Sequence, residues 1–244
     1  MNLIEAIKSP KHYSKALLNK LNDFYRTIFY KGDSVHCEIC NWRGQKFFEG
    51  KCPKCHSLPR TRLVPFSLEY FNLIEPKLKI LHIAPNIHEF NYVEKRIPDV
   101  SVYDRLNNRN VSFINIVQDI TKTTLEDNIY DLVICWHVLE HIPNDLKAIA
   151  EVYRILKPGG KFLVSVPIYP AGNETTYEDA SVAYKDFEKV HGHFDHCRSC
   201  GLDYYKRFET CGFSTKTLKV ETLDTETINR YGLRSDHVVW CFTK

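Results

Sequence analysis

Four of the nine cysteines in this 244-residue chain are spaced for metal chemistry. Cys37-Glu-Ile-Cys40 and Cys52-Pro-Lys-Cys55 are two C-x-x-C knuckles separated by 11 residues. Each knuckle turns two thiolates toward one point, and two knuckles complete a tetrahedron around zinc. A full set of four thiolates leaves no open coordination position, so the ion is expected to be structural rather than catalytic. A segment this short buries little core, so the metal would supply most of the local folding energy, roughly 10–16 kcal/mol. His36 and His56 flank the knuckles as alternative ligands. Cys197-Arg-Ser-Cys200 is a third C-x-x-C with no matching pair, and it reads as two reduced thiols.

A second group of residues could move protons. His137 and His141 stand four apart after an apolar run, and Gly-His-Phe-Asp-His brings His193 and Asp195 into a long polar stretch. Imidazole and carboxylate are the side chains that exchange protons near neutral pH when a reaction requires it. Each of these residues has a plainer reading as a helix cap or a structural loop residue.

Elements must exist to position these groups. KILHIA, VSVYD, FINIVQ, YDLVICW, KFLVSVPI, FSTKTLKV and HVVWCF read as strands. Helical stretches lie between them, such as 144–156, where Leu146, Ile149, Ala150, Tyr153 and Leu156 share a face. Strands alternating with helices predict a parallel sheet covered on both faces, with ligands at the carboxyl ends of the strands. Residues 168–200 follow one such strand and are polar, without clear period, as expected of a lid or substrate-binding insertion. Toward the front, residues 11–29 carry Leu17, Leu18, Leu21, Phe24, Tyr25 and Ile28 at helical spacing, with Gly32 as the stop. This helix is expected to pack on the main domain, the alternative being a partner-binding or membrane-surface helix. Residues 60–74 read as a linking helix started or kinked by Pro65. The expected divisions are an N-terminal helical segment (1–33), a zinc ribbon (34–58), a linking helix (59–77) and an α/β domain (78–244) with its insertion at 168–200.

Composition limits the classes. Hydrophobic residues make up 43% and charged residues 26%, ordinary for a globular protein and unlike disordered or collagenous chains. No apolar run approaches the roughly 20 residues that span a bilayer. Glu5 and Lys8 interrupt the stretch where a leader would be apolar, so a cytoplasmic location is expected, where thiols bind metal more often than they pair. The net charge of +3 divides into +6 over residues 1–78 and −3 over the rest. Four zinc-bound thiolates would trim the front to about +4, a surplus that permits phosphate contact without demanding it.

YDLVICWHVLEHIPND (130–145) followed by LKPGGKFLVSVP (156–167) resembles the class I S-adenosylmethionine-dependent methyltransferases, in the order and spacing of that superfamily. More narrowly, Cys52–Arg62 (CPKCHSLPRTR), His82–Pro85 (HIAP) and Glu174–Asp179 (ETTYED) resemble a branch with a zinc ribbon ahead of the fold. The resemblance implies a Rossmann-like α/β fold with a seven-stranded, mostly parallel sheet, and S-adenosyl-L-methionine as cofactor. It places His82, Ala84, Pro85 and Asn86 in the first cofactor turn, which carries no glycine here. It further places Asp104 at the end of the second strand on the ribose hydroxyls, and Asp119 with Ile120 on adenine. Cys135 and His137 would lie beside the reactive end. The implied activity is methyl transfer, with His137, His193 and Asp195 as candidates for proton removal and residues 168–200 over a small-molecule acceptor. No Asn/Asp-Pro-Pro-Tyr string follows the fourth strand, which argues against planar base amino groups. RNA is a possible but unfavoured acceptor, and a non-catalytic binding protein that retains the fold is the third reading.

Overall fold

The computed structural model describes residues 10–97 and 99–244, with side chains from residue 17 onward. Met1–Ser9, on which the reading against a leader rests, lie outside the described residues.

Helix α1 (Pro10–Phe29) leads into a two-stranded hairpin, β1 (Lys31–Cys37) and β2 (Trp42–Gly44), which carries the first knuckle. Helix α2 (Pro59–Tyr70) follows the second knuckle. The remaining chain alternates as β3 (Lys79–Ile83), α3 (Ile87–Arg96), β4 (Val102–Asn107), β5 (Ile116–Val117), β6 (Tyr130–Trp136), α4 (Asp145–Ile155) and β7 (Leu156–Ser165). Two short helices, α5 (Phe187–His191) and α6 (Lys206–Glu209), then precede β8 (Ser214–Lys219), α7 (Thr225–Tyr231) and β9 (Val238–Thr243).

The large sheet has seven strands in the order β5-β4-β3-β6-β7-β9-β8, with β9 antiparallel to both neighbours and the other pairings parallel. The expected α/β Rossmann-like methyltransferase architecture is therefore present. Its central strands read as near-continuous apolar runs because both faces are covered. Along β6, Val133 and Cys135 enter a core under α4 that includes Ile149, Phe162, Phe208 and Phe242. Leu132, Ile134 and Trp136 point the other way, into a second core with Leu63, Val64 and Leu68 of α2 and Tyr92 of α3. That second core also contains Val35, Cys37, Trp42 and Cys52, so the cysteine-bearing segment packs directly against the sheet's covering helices.

Arg62 holds this junction. It is 1% exposed, and its guanidinium donates to the carbonyls of Ser57 (2.5 Å), Gly50 (3.0 Å), Tyr231 (2.9 Å) and Gly232 (2.7 Å). It also lies 3.9 Å over the Phe47 ring. Gly232 ends α7 in the left-handed region (φ 58°), and a Cβ there would stand 2.3 Å from Phe47, so only glycine fits.

Local readings differ in places. Pro59, not Pro65, starts α2: a proline at the first helical turn lacks only an N–H that would have no partner, and Pro65 is accommodated inside the helix. Helix α1 ends before Gly32, which lies within β1. The apolar stripe of α1 does not pack on the α/β domain, since Leu17, Leu18, Leu21, Phe24, Tyr25 and Ile28 are 41–66% exposed. The helix is held at its last turn, where Trp42 Nε1 donates to the Thr27 carbonyl (3.1 Å) and Arg26 lies over Phe48.

Arg62→Lys should cost about 3–5 kcal/mol of stability, because an ammonium cannot reproduce the planar fork and leaves buried carbonyls unpaired. Denaturant unfolding measures it, and a midpoint equal to wild type would refute the keystone role.

Candidate functional site

The parallel strands β3, β4, β5 and β6 all exit at one edge of the sheet, where their following turns converge. After β3 the chain turns through Ala84, Pro85 and Asn86 into α3. Ala84 stands at φ 48°, a conformation that costs a residue with a Cβ of the order of 1–2 kcal/mol. Its N–H donates to the Leu106 carbonyl of β4 (2.7 Å). Asn86 caps α3 in a reciprocal box: its side chain accepts from His88 and Glu89 N–H, and its own N–H donates to Glu89 (3.0 Å).

Beneath this turn lie two buried titratable groups. His82 is fully buried, with Nδ1 3.1 Å from the Tyr103 hydroxyl, and burial lowers its pKa to about 3. Glu89, 3.7 Å from His82 Nε2, is raised to about 7 by the same cause. His82 thus lies in the floor of the turn rather than facing outward.

The second strand departs from expectation. Asp104 does not end it: β4 runs on to Asn107, and Asp104 pairs with Leu81, two residues short of the β3 exit. Its carboxylate accepts from the Tyr130 hydroxyl (2.7 Å) and from Asn115 Nδ2 (2.9 Å). Tyr130 opens β6 at the opposite edge, so Asp104 faces away from the turns. Asn107 is the polar side chain at the strand end, and its Oδ1 accepts from Arg109 N–H (2.9 Å). Asp119, past β5, is exposed; one carboxylate oxygen closes a local turn with Thr121, while Ile120 is buried.

At the β6 exit Cys135 is buried in the core and Trp136 donates to the Arg60 carbonyl (2.8 Å). His137 follows at φ 53°, the second left-handed non-glycine on this edge. Burial lowers its pKa to about 3, and its Nε2 has no hydrogen-bond partner. A 3-10 turn, Leu139–His141, then places Glu140 3.6 Å from His137 Nδ1 and 3.7 Å from His141 Nε2.

The insertion folds back onto this turn. Cys197 N–H donates to the Glu140 carbonyl (2.9 Å), and Arg198 donates to the carbonyls of Leu139 (2.6 Å), Ile142 (2.8 Å) and Pro143 (2.9 Å). His193 pairs with Asp195, whose carboxylate lies 3.1 Å from His141 Nδ1. The structure therefore brings His137, His141, His193 and Asp195 into one neighbourhood with Glu140 and His196. The last two were not singled out in the sequence, although both sit beside residues that were. Tyr177 remains half-exposed and hydrogen-bonded to Asp179, with its backbone bridged to Ser199. An open cleft of about 540 Å³ lies between the insertion and the β8–β9 edge, lined in part by Glu174, Asp203, Lys206 and Trp240.

The cysteines converge as well. Cys37 and Cys55 Sγ are 3.6 Å apart and Cys40 and Cys52 Sγ 3.7 Å, close to the roughly 3.8 Å edge of a tetrahedron with 2.3 Å zinc–sulfur bonds. Asn41 and His56, just past each knuckle, are left-handed (φ 57° and 59°), which turns each pair inward. His36 is engaged with Asn41, and His56 lies 3.6 Å from Asp23, so neither stands in the set. Among the described residues no helix is long and apolar enough to cross a membrane.

Residues 88–164 match the methyltransferase domain family. A sterol 4-C-methyltransferase of Caenorhabditis elegans is 26% identical over 168 residues, 68% of this chain and 44% of that protein. A ubiquinone biosynthesis O-methyltransferase of Rickettsia akari is 30% identical over 80 residues, 33% of this chain and 31% of that protein. The chain thus matches less than half the length of these curated relatives. An S-adenosylmethionine-dependent methyltransferase from Mesorhizobium loti shares the fold, with a TM-score of 0.53 and 15% identity over 73% of this chain and 96% of that one. Residues 88–164 thus resemble a methyltransferase domain, and the seven-stranded fold around them is one that an S-adenosylmethionine-dependent methyltransferase of known structure shares.

Proposed function

We propose that this chain transfers a methyl group from S-adenosylmethionine to a small-molecule acceptor held beside residues 168–200. The observation that carries the reading is the turn after β3, where Ala84 is held left-handed at the edge on which the strand exits converge. Backbone strain of this kind persists where the surrounding structure over-determines it, as around a ligand. The turn at Ala84, Pro85 and Asn86, over His82, receives the cofactor. Asp119 and Ile120 take the adenine, and Cys135 and His137 flank the reactive end. With Asp104 committed to Tyr130 and Asn115, the ribose hydroxyls fall to Asn107. The small-molecule acceptor is supported by the names of both curated relatives, which act on a sterol and in ubiquinone biosynthesis.

Methyl transfer is an in-line displacement at a sulfonium carbon, so alignment of donor and acceptor supplies much of the acceleration. A base enters only where the acceptor must lose a proton. His137 stands at the β6 exit with an unpartnered Nε2 that can meet the acceptor, although burial, by lowering its pKa, makes it a weak base there. His193 and Asp195 are the alternative pair from the insertion.

We also infer one structural zinc held by Cys37, Cys40, Cys52 and Cys55. The thiolate spacing fits the ion, and the placement of Arg62 gives the Cys52–Arg62 motif a physical purpose, consistent with the zinc-ribbon branch.

Calorimetry should show S-adenosylmethionine binding that Asn107→Ala weakens by about 1 kcal/mol, with Asp104→Ala within twofold of wild type but less stable by about 1–3 kcal/mol. A large affinity loss in Asp104→Ala alone would return the ribose to Asp104. His137→Ala should lower turnover while leaving cofactor affinity within about twofold, and equal loss of both would indicate a folding defect instead. Elemental analysis should find one zinc bound by the four cysteines, absent in Cys52→Ser/Cys55→Ser. Because the cysteines share a core with α2, stripping that zinc should lower the melting temperature of the whole chain, and an unchanged melt would contradict the shared core.

A further inference from the structure

Glu140 is the anomaly of the β6 exit. Its side chain is 1% exposed, and neither carboxylate oxygen has a hydrogen-bond partner. A buried carboxyl without partners is costly unless something positive or donating meets it. Its carboxylate lies 3.6 Å from His137 Nδ1 and 3.7 Å from His141 Nε2, with the Arg198 and Arg60 guanidiniums farther off. Ligand atoms of Glu140, His141 and His196 lie within 4.8 Å of one another, as do those of His193, Asp195 and His196. The two triads share His196. The His141 and His196 rings are 4.7 Å apart and the His193 and His196 rings 4.8 Å.

We propose that Glu140, His141 and His196 bind a divalent transition-metal ion, with Asp195 and His193 closing its loop side, as a second metal centre distinct from the four cysteines. The donor set is one or two carboxylates with two or three neutral imidazoles. Imidazole nitrogen selects zinc, iron, cobalt, nickel or copper over magnesium and calcium, which prefer oxygen throughout. With bonds of about 2.0–2.2 Å, ligand atoms around one ion sit about 3.3–4.3 Å apart, within reach of the observed spacing after small side-chain rotations. The cation also supplies what Glu140 lacks, a partner for its buried oxygens.

The scaffold is built to hold such a site. Glu140 and His141 lie on a 3-10 turn whose carbonyls are clamped by Arg198, itself 1% exposed. Arg198 belongs to the same short segment as Asp195 and His196, so one buried guanidinium fixes both halves of the ligand set. Cys197, between them, donates from its backbone N–H to the Glu140 carbonyl (2.9 Å). Outer groups that lock ligands in this way are the usual support of a metal centre. Where only Glu140, His141 and His196 bind directly, coordination positions stay free, and an oxygen bound there would lose its proton more readily. Use of the ion on a methyl acceptor rests on the methyl-transfer reading; the metal site itself does not.

The test is cobalt titration of the full chain after chelator stripping. Wild type should bind two equivalents at micromolar metal: one with thiolate-to-cobalt charge transfer, and one showing ligand-field bands without it. His141→Ala/His196→Ala should lose the second equivalent and keep the first. Glu140→Gln has the same shape and should weaken the second at least tenfold while leaving the thiolate signature intact. The Gln variant decides the matter if the double variant fails to fold. The proposal is overturned if wild type binds only the thiolate equivalent, if the second ion needs millimolar metal, or if Glu140→Gln binds it as tightly as wild type.

Discussion

A buried guanidinium with no carboxylate beside it is the constraint on which the assembly of this chain turns. Arg62 lies among backbone carbonyls from the second knuckle, the Gly50 turn and the end of α7. Taking such a charge out of water is tolerable only where donors are satisfied and an opposite charge is near. The nearby negative charge comes from the cysteines. Ser57, whose carbonyl accepts from Arg62, has its hydroxyl 3.2 Å from both Cys37 Sγ and Cys55 Sγ. Were the proposed zinc bound, its four thiolates would give the site a net charge of −2, which the guanidinium would partly offset. Metal binding would then be coupled to the burial of Arg62 and the docking of α7.

The α/β half was legible because its signals are redundant. Apolar runs such as LVICW and FLVSV read as buried strands whichever face they serve, and every expected strand is present. The cysteine spacing was equally plain, since two knuckles converge in few other ways. Asp104 failed for an opposite reason. Its strand lacks a clear boundary in the sequence, where VYDRLN continues polar, and a shift of two or three residues moves an acid from the ligand edge to mid-strand. The α1 stripe failed because periodicity reports that a face is apolar and says nothing of what covers it.

The cluster around Glu140 was only half legible. The histidines announce themselves by residue type, whereas Glu140 looks like an ordinary exposed acid within a motif. Its burial depends on Arg198 and Cys197, more than 50 residues later, reaching back to the same turn. The insertion is also less free than its composition implied. Its base is bridged at Ile168–Cys200 and at Tyr177–Ser199, and Arg198 is buried beneath it. Any movement over an acceptor is thereby confined to the exposed stretch between those anchors.

The link between Arg62 and Gly232 spans 170 residues of chain. A ribosome adds roughly 5–20 residues per second, so the carbonyls that complete the Arg62 site emerge about 10–35 s after the arginine itself. The knuckles emerge early, but the Arg62 site at their junction with α2 stays incomplete until Tyr231 and Gly232 have been made. Strand β9, which lies between β7 and β8, emerges just after them. The nascent chain therefore carries an apolar surface and a desolvation-prone cation while the 170 intervening residues are made. Its dependence on chaperones should be concentrated there rather than in the finished protein.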